Sequence, residues 1–267
     1  GRHTGYGGMG DNLESEHPGV PYDSMFQPSL SGSGGGLGDH LAWGGAGGGA
    51  IKIEVGKTLT LDGEICADGT DAPSWDKDSG GGAGGSIWLS CNTLIGSGFC
   101  TAEGGNGSDD GGGGAGGIIV VYYEDDSNFK GHPNFSVAGG ARGGAVGNTP
   151  YGDGNCGSCL FVNTKGTTST DDDEIHIYTY SRVTESFTCG SLYVHAGAAL
   201  FIDSFAAATK QNAPDPVQIT ITVNGDMNVD SDVRIVGTGL GYIWSRGPGA
   251  GEDDGGGAGG GGYGGAG

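Results

Sequence analysis

The sequence predicts an all-β protein: a right-handed parallel β-helix, or solenoid, with stacked polyglycine-like loops. Three observations carry this expectation. A glycine run, an alanine and a short apolar β-type run recur as GGAGGGAIKIEV from Gly44, GGGAGGSIWLS from Gly80 and GGGGAGGIIVVYY from Gly111, with GDGNCGSCLFV from Gly152 as a degenerate fourth copy. Each is followed, after a turn, by a second strand-like stretch ending in a polar glycine turn: LTLDGEICADG, LIGSGFCTAEGG and FSVAGGARGG. A unit repeated at roughly thirty to forty residues, each half too small to fold alone, is the signature of stacked coils. Helix signals are nearly absent, since each glycine in a helix interior costs roughly 1 kcal/mol. The right hand follows from the crossover rule for parallel strands.

Glycine supplies 64 of 267 residues with no third-residue period, which excludes collagen. Such composition ordinarily means disorder. Here the glycine blocks are separated by runs with period-2 alternation, such as VQITITV and EIHIYTY, so order is expected. Hydrophobic residues at 34% are thin for a globular core but sufficient for coils that bury only an inward face. That face is expected to stack Ile51, Ile53, Ile87, Leu89, Ile118 and Val120 in one column. A glycine run can form an extended helix with three residues per turn, and only glycine lets several pack backbone against backbone. The blocks are therefore expected to form a layer beside the strands rather than mobile loops.

One elongated unit is expected over residues 1–267: a Gly/Pro-rich leading segment (1–50), Gly-rich rungs (50–165), plain strands (166–245) and a Gly-rich tail continuing into a next unit (246–267). NTKGTTSTDDDE, from Asn163 to Glu174, reads as a polar, acidic hairpin or surface loop. A net charge of −21 makes nucleic acid and anionic membrane surfaces poor partners. No apolar stretch approaches a transmembrane helix in length, so no membrane insertion is expected. No signal peptide is read, and the chain starts at Gly1 without Met, so a processed product or an excerpt of something longer is expected.

Six cysteines, an even number, fit an oxidising compartment. Aligning GEICADG with SGFCTAEG places Cys66 and Cys100 at the same point of consecutive rungs. Stacked strands lie about 4.8 Å apart, within the range a disulfide tolerates, so this pair is expected to be bridged. Cys91, Cys156, Cys159 and Cys189 are expected to pair among themselves. The CGSC of Cys156 and Cys159 has the form of a redox or zinc half-site, but Cys189 alone does not supply a second ligand pair. Asn106-Gly107-Ser108 and Asn134-Phe135-Ser136 are N-glycosylation sequons, meaningful in a secreted eukaryotic protein.

Signals for catalysis fail on inspection. VGKTLTL contains GKT, but a phosphate loop needs glycine five residues before Gly56, where Ile51 stands. No serine sits in GxSxG, and the histidines make no HExxH. GGNGSDD from Gly104 starts like a calcium-binding nonapeptide, yet it is single, and calcium rolls need tandem copies. Asp109 and Asp110 are thus weak calcium candidates, and no other cofactor is expected. Acidic clusters of this kind more often are solvated loop tips. A polysaccharide-active β-helix needs carboxylates converging with Lys or Arg on one strand face. Here Lys and Arg total 11 and are scattered, so no enzyme is expected. The threonines of TLT and TIT do not recur at one register, which removes the flat array that ice binding requires.

The strings GGGAGGSIWLS, TLTLDGEICADG, GLGY…GPGAG and GGGYGGAG resemble the glycine-rich extracellular repeat proteins of protists, algae, plants and some bacteria. In that family's order, residues 217–267 look like the opening of a unit and residues 1–165 like its continuation. The added cysteines and the segment 166–216 depart from the pattern. The resemblance implies an extracellular or cell-surface β-solenoid and supplies no catalytic residues. The expected function is structural: a subunit or tandem repeat of a cell-surface filament, flagellar hair or matrix fibre. Its partners would be copies of itself, head to tail, with glycans as further candidates. An uncapped stack exposes edges that pair with any matching end, and no amphipathic capping helix is read. A carbohydrate-binding adhesin domain is the alternative.

Overall fold

The computed structural model describes residues 21–38, 43–73, 78–109, 111–143, 153–203 and 218–237. These residues are all-β: fifteen strands, one short 3-10 turn at His132–Asn134, and no α-helix. The strands are β1 (Ala50–Thr60), β2 (Glu64–Cys66), β3 (Ser86–Gly96), β4 (Phe99–Thr101), β5 (Ile118–Tyr123), β6 (Asp125–Phe129), β7 (Ser158–Asn163) and β8 (Glu174–Ile177). They continue as β9 (Tyr180–Val183), β10 (Phe187–Cys189), β11 (Ser191–Val194), β12 (Ala199–Ile202), β13 (Ile221–Val223), β14 (Met227–Val229) and β15 (Arg234–Val236). The principal sheet runs β1-β3-β5-β7-β8-β11-β14, with β6 beside β3. Every pairing in it is parallel except β7 with β8.

The recurring apolar runs are β1, β3, β5 and β7, and their register is direct. Ile51 faces Ile87, then Ile119, then Cys159, while Ile53 faces Leu89, Val121 and Phe161. This corrects the expected column at its third rung. Ile118 and Val120 lie one residue out of register and point to the opposite face, where Val120 joins a different core cluster. Strands alternate faces with a period of two, so a one-residue slip moves every side chain across the sheet.

Two cores therefore share this sheet, one on each face. The first gathers Ile87, Leu89, Ile119, Val121, Cys159 and Phe161 with Phe129, Phe135 and Val137. The second gathers Val120, Leu160 and Val162 with Ile175, Ile177, Leu192, Val194 and Leu200. Met25, with no exposed surface, plugs the second core, and Phe26 packs beside it. Strands β5 and β7 are consequently buried on both faces, which explains unbroken apolar runs such as IIVVYY. Each fully buried Ile, Leu, Val or Phe contributes roughly 1.5–3 kcal/mol.

From β8 onward the strands form three parallel ladders: β8-β11-β14, β9-β12-β15 and β10-β13. Their inward residues feed the second core. Beside the first half, the glycine blocks bond to one another with a three-residue period. Gly80 and Ala83 donate to Gly36 and Ser33, Gly81 and Gly84 to Gly112 and Ala115, and Gly82 and Gly85 to Thr70 and Ala67, at 2.7–3.1 Å. One segment thus faces three neighbours in turn, the pattern of an extended helix with three residues per turn. The approach is close enough to require glycine: a Cβ on Gly82 would stand 1.9 Å from the Ala46 carbonyl oxygen.

Candidate functional site

The principal sheet ends in β1 on one side and β14 on the other. Among the described residues, neither has a partner on its outer edge. On β1, Ile51, Ile53, Val55 and Leu59 are half-buried and pack against the first core, while Lys52 and Glu54 point outward and pair at 3.3 Å. The Lys52 ammonium also sits 3.4 Å from the centroid of the Trp88 ring. At the other end, Met227 and Val229 prolong the Leu192 and Val194 columns of the second core and are 48% and 38% exposed. Ile235 on neighbouring β15 is 45% exposed. Among the described residues, both ends present open backbone and unfinished apolar columns, the feature that invites pairing with another chain. β1 carries Lys52 and Lys57 together with Glu54, and Asp226, Asp230 and Asp232 flank β14.

The β7–β8 junction carries the aromatic centre of the molecule. Tyr193, His176, Tyr178 and His195 stack, with centroids 4.7 Å apart for Tyr193–His176, 6.0 Å for His176–Tyr178 and 4.1 Å for Tyr178–His195. Nδ1 of His176 lies 3.0 Å from Nε2 of His195, so one ring donates and the other accepts. Burial, then the neighbouring His195, pushes His176 down to about 4, and burial lowers His195 as well. Nε2 of His132 meets Oδ2 of Asp126 at 2.7 Å. Burial pushes the Asp126 carboxyl up, but the His132 hydrogen bond and charge, with the Tyr123 hydroxyl, hold it below the usual carboxylate range. Among the described residues, no group of three or more His, Cys, Asp or Glu is arranged to hold a metal ion. Sequence reasoning missed this cluster because its histidines are scattered in no motif; the alternation in EIHIYTY was its single trace.

The cysteines do not lie as expected. In the β2–β4 pair, Ile65 faces Cys100 and Cys66 faces Thr101. Cys66 is exposed and Cys100 is fully buried, so in this register their side chains leave opposite faces and are not bridged. All six thiols are free in this structure, including Cys91, Cys156, Cys159 and Cys189. Burial pushes Cys100 up to about 12 and, with the Asp173 charge, Cys189 to about 11. Asn106 and Asn134 are both exposed, although the Asn106 Oδ1 accepts a hydrogen bond from the Ala141 amide at 2.7 Å. Asp109 is an exposed turn residue with φ of 47°, and Asp110 lies outside the described residues.

One further concavity, of about 470 Å³, is lined by Ala138, Gly139, Gly154, Tyr180 and Phe201, the last two rings meeting edge to face at 6.2 Å. At its base Arg182, 4% exposed, donates to Asp203 at 2.9 Å and to the Cys156 carbonyl at 3.3 Å. No protein-family model matches this chain, and searches of curated proteins and of solved structures give no match either. What it does must be read from its own surfaces.

Proposed function

We propose that this chain is a structural extracellular protein that associates head to tail with copies of itself, building a cell-surface filament, flagellar hair or matrix fibre. The parallel ladders are read as successive turns of a right-handed β-solenoid, and the glycine segments as polyglycine helices stacked along its flank. One observation carries this reading: β1 and β14 leave their outer edges open among the described residues, each beside an unfinished apolar column. The internal β7–β8 junction is a precedent, since there two stacks whose cores lie on opposite faces meet edge to edge. An edge contact between β14 of one copy and β1 of the next would repeat it.

Sedimentation velocity over a wide concentration range tests this. Mass is expected to grow with concentration in the unmodified chain and to collapse towards the monomer in Val229→Lys, because a charge on an edge strand blocks pairing. Monomers in both at every concentration would refute the proposal.

The concavity lined by Tyr180 and Phe201 favours a second reading, carbohydrate-binding adhesion, because an aromatic pair beside Asn155 and Thr179 suits a saccharide. Loss of glycan-array binding in Tyr180→Ala, with association unchanged, would support it; no glycan binding by the unmodified chain would remove it.

A further inference from the structure

We propose that the cavity between the Met25–Gln27 segment and β8/β10 is a binding site for a primary alkylammonium group, with Asp173 as its anionic contact and Phe26, Tyr122 and Phe187 as its walls. The cavity measures about 290 Å³, and Val162 and Ile175 complete its apolar lining. Its construction is fixed rather than incidental. Ser24 Oγ and the Met25 amide both donate to Oε1 of Glu185, at 2.7 and 2.8 Å. The Tyr122 hydroxyl donates to the Phe26 carbonyl at 2.8 Å, and the Phe26 and Phe187 rings meet edge to face at 5.2 Å. Asp173 is held by its own carbonyl, which accepts from the Gly190 and Ser191 amides at 2.8 and 3.2 Å.

The decisive feature is an orphan. Asp173 is 94% buried, from its relative exposure of 6%, and its Oδ1 is fully buried with no hydrogen-bond partner. A buried, unpaired carboxylate oxygen carries a desolvation penalty that a donor of opposite charge removes once the Asp173 carboxylate turns into the cavity its residue lines. Among the described residues, the charges that act on Asp173 and on the Tyr122 hydroxyl are acidic. Asp172 neighbours Asp173 on the chain, Glu185 and Asp173 both act on the Tyr122 hydroxyl, and Asp173 acts on the Cys189 thiol. Lys165 and Arg182 are engaged by Glu174 and Asp203.

The chemistry of the lining selects the ligand. Calcium takes six to eight oxygens, and the Asp173 carboxylate with the side-chain oxygens of Gln27, Thr170 and Thr188 falls short of that number. Aromatic rings and a carboxylate instead suit an organic ammonium, which the ring quadrupoles and the carboxylate charge both attract. Because Oδ1 lacks a donor, an ammonium that carries N–H groups is favoured over a quaternary one. A butyl-length stem would lie against Val162 and Ile175. The site is separate from the sheet edges and holds whether or not copies associate.

The test is an NMR titration at pH 7.5 with butylammonium chloride, followed at the Phe26, Ile175 and Thr188 amides, with sodium chloride at equal ionic strength as reference. Saturable shifts with a dissociation constant on the order of 1 mM are expected. Tetramethylammonium should bind about tenfold more weakly or worse, lacking the charge-assisted hydrogen bond to Oδ1. Asp173→Asn should weaken butylammonium binding by a similar factor, about tenfold. Should that variant fail to fold, the unmodified chain decides alone. Burial holds Asp173 up at about 6, so its affinity for butylammonium should fall as pH drops through that value. An Nα-acetyl-lysine methylamide arm distinguishes the source: affinity equal to butylammonium assigns the site to lysine side chains, and weaker affinity to free amines. No saturable shift beyond the salt reference, or equal affinity for tetramethylammonium, or an affinity unchanged by pH, would overturn the proposal.

Discussion

Phe161 faces His176 across the antiparallel pairing of β7 and β8. Phe161 belongs to the first core, while the next residue pair, Val162 with Ile175, belongs to the second core on the opposite face. Phe161 is fully buried, and the rings of Phe135, His132 and Tyr178 surround it at 4.8, 5.0 and 5.3 Å. Two parallel stacks with opposite inward faces are thus riveted by a single aromatic cluster.

That cluster makes stability depend on pH. His176 has a folded pKa of about 4 against 6.5 in the free side chain, so the unfolded chain binds more protons between those values. Its contribution is fully present above pH 6.5 and is lost as pH falls towards 4. Asp173 acts the other way, its raised pKa adding stability as pH falls through about 6. The difference between unmodified chain and His176→Gln isolates the histidine. Urea unfolding at pH 7.5 and 4.5 should show the unmodified chain losing about 2 kcal/mol more than the variant on acidification. Equal losses would show that His176 titrates normally in the fold.

The glycine layer makes a sharper demand. A Cβ on Gly82 would stand 1.9 Å from the Ala46 oxygen, whereas a Cβ on Gly63 meets nothing within 4 Å. Gly82→Ala should therefore destabilise by about 3 kcal/mol or more, and Gly63→Ala should change stability by less than about 0.5 kcal/mol. Thermal unfolding of the two variants checks this; similar melting temperatures would mean that the glycine segments do not pack as described.

Much of this architecture was legible in the sequence, and the failures have physical causes. The runs AIKIEV and SIWLS announced β1 and β3 because polar and apolar residues alternate. IIVVYY gave no register, since it is apolar on both faces, and so Ile118 and Val120 were assigned to the wrong side. The cysteine alignment failed because ADG after Cys66 and AEG after Thr101 are the matching turns, as the Ala67 amide bonding to the Thr101 carbonyl shows. Anchoring on the turn rather than on the cysteine would have found the offset. The inversion at β7–β8 left no mark beyond the polar stretch after Asn163, and Met25 and Phe26 were an isolated apolar pair with nothing to say which face they cover.

Thiol chemistry follows from the corrected register. Cys66 lies at the surface, while Cys100, Cys159 and Cys189 are buried. In the native reduced protein, an aromatic disulfide reagent should label Cys66 rapidly and leave these three unreacted until denaturant is added, since the thiolate is the reactive form and burial disfavours it. Peptide mapping reads the outcome; a native Cys66–Cys100 bridge would contradict the β2–β4 pairing.

Arg182 and Asp203 form an ion pair with exposures of 4% and 0% at their side chains. Removing one partner strands the other, so Asp203→Ala should cost about 3–5 kcal/mol. Glu54→Ala, which breaks the exposed contact with Lys52, should cost less than about 1 kcal/mol. Comparable losses in chemical denaturation would place Asp203 nearer to water than its geometry indicates.

Head-to-tail association is tested most directly by electron cryo-microscopy of the concentrated chain at neutral pH. The expected result is unbranched filaments whose strands stack along the axis at about 4.8 Å, with β14 of one copy beside β1 of the next. Single particles at every concentration, with the outer edges of β1 and β14 covered within one chain, would contradict it.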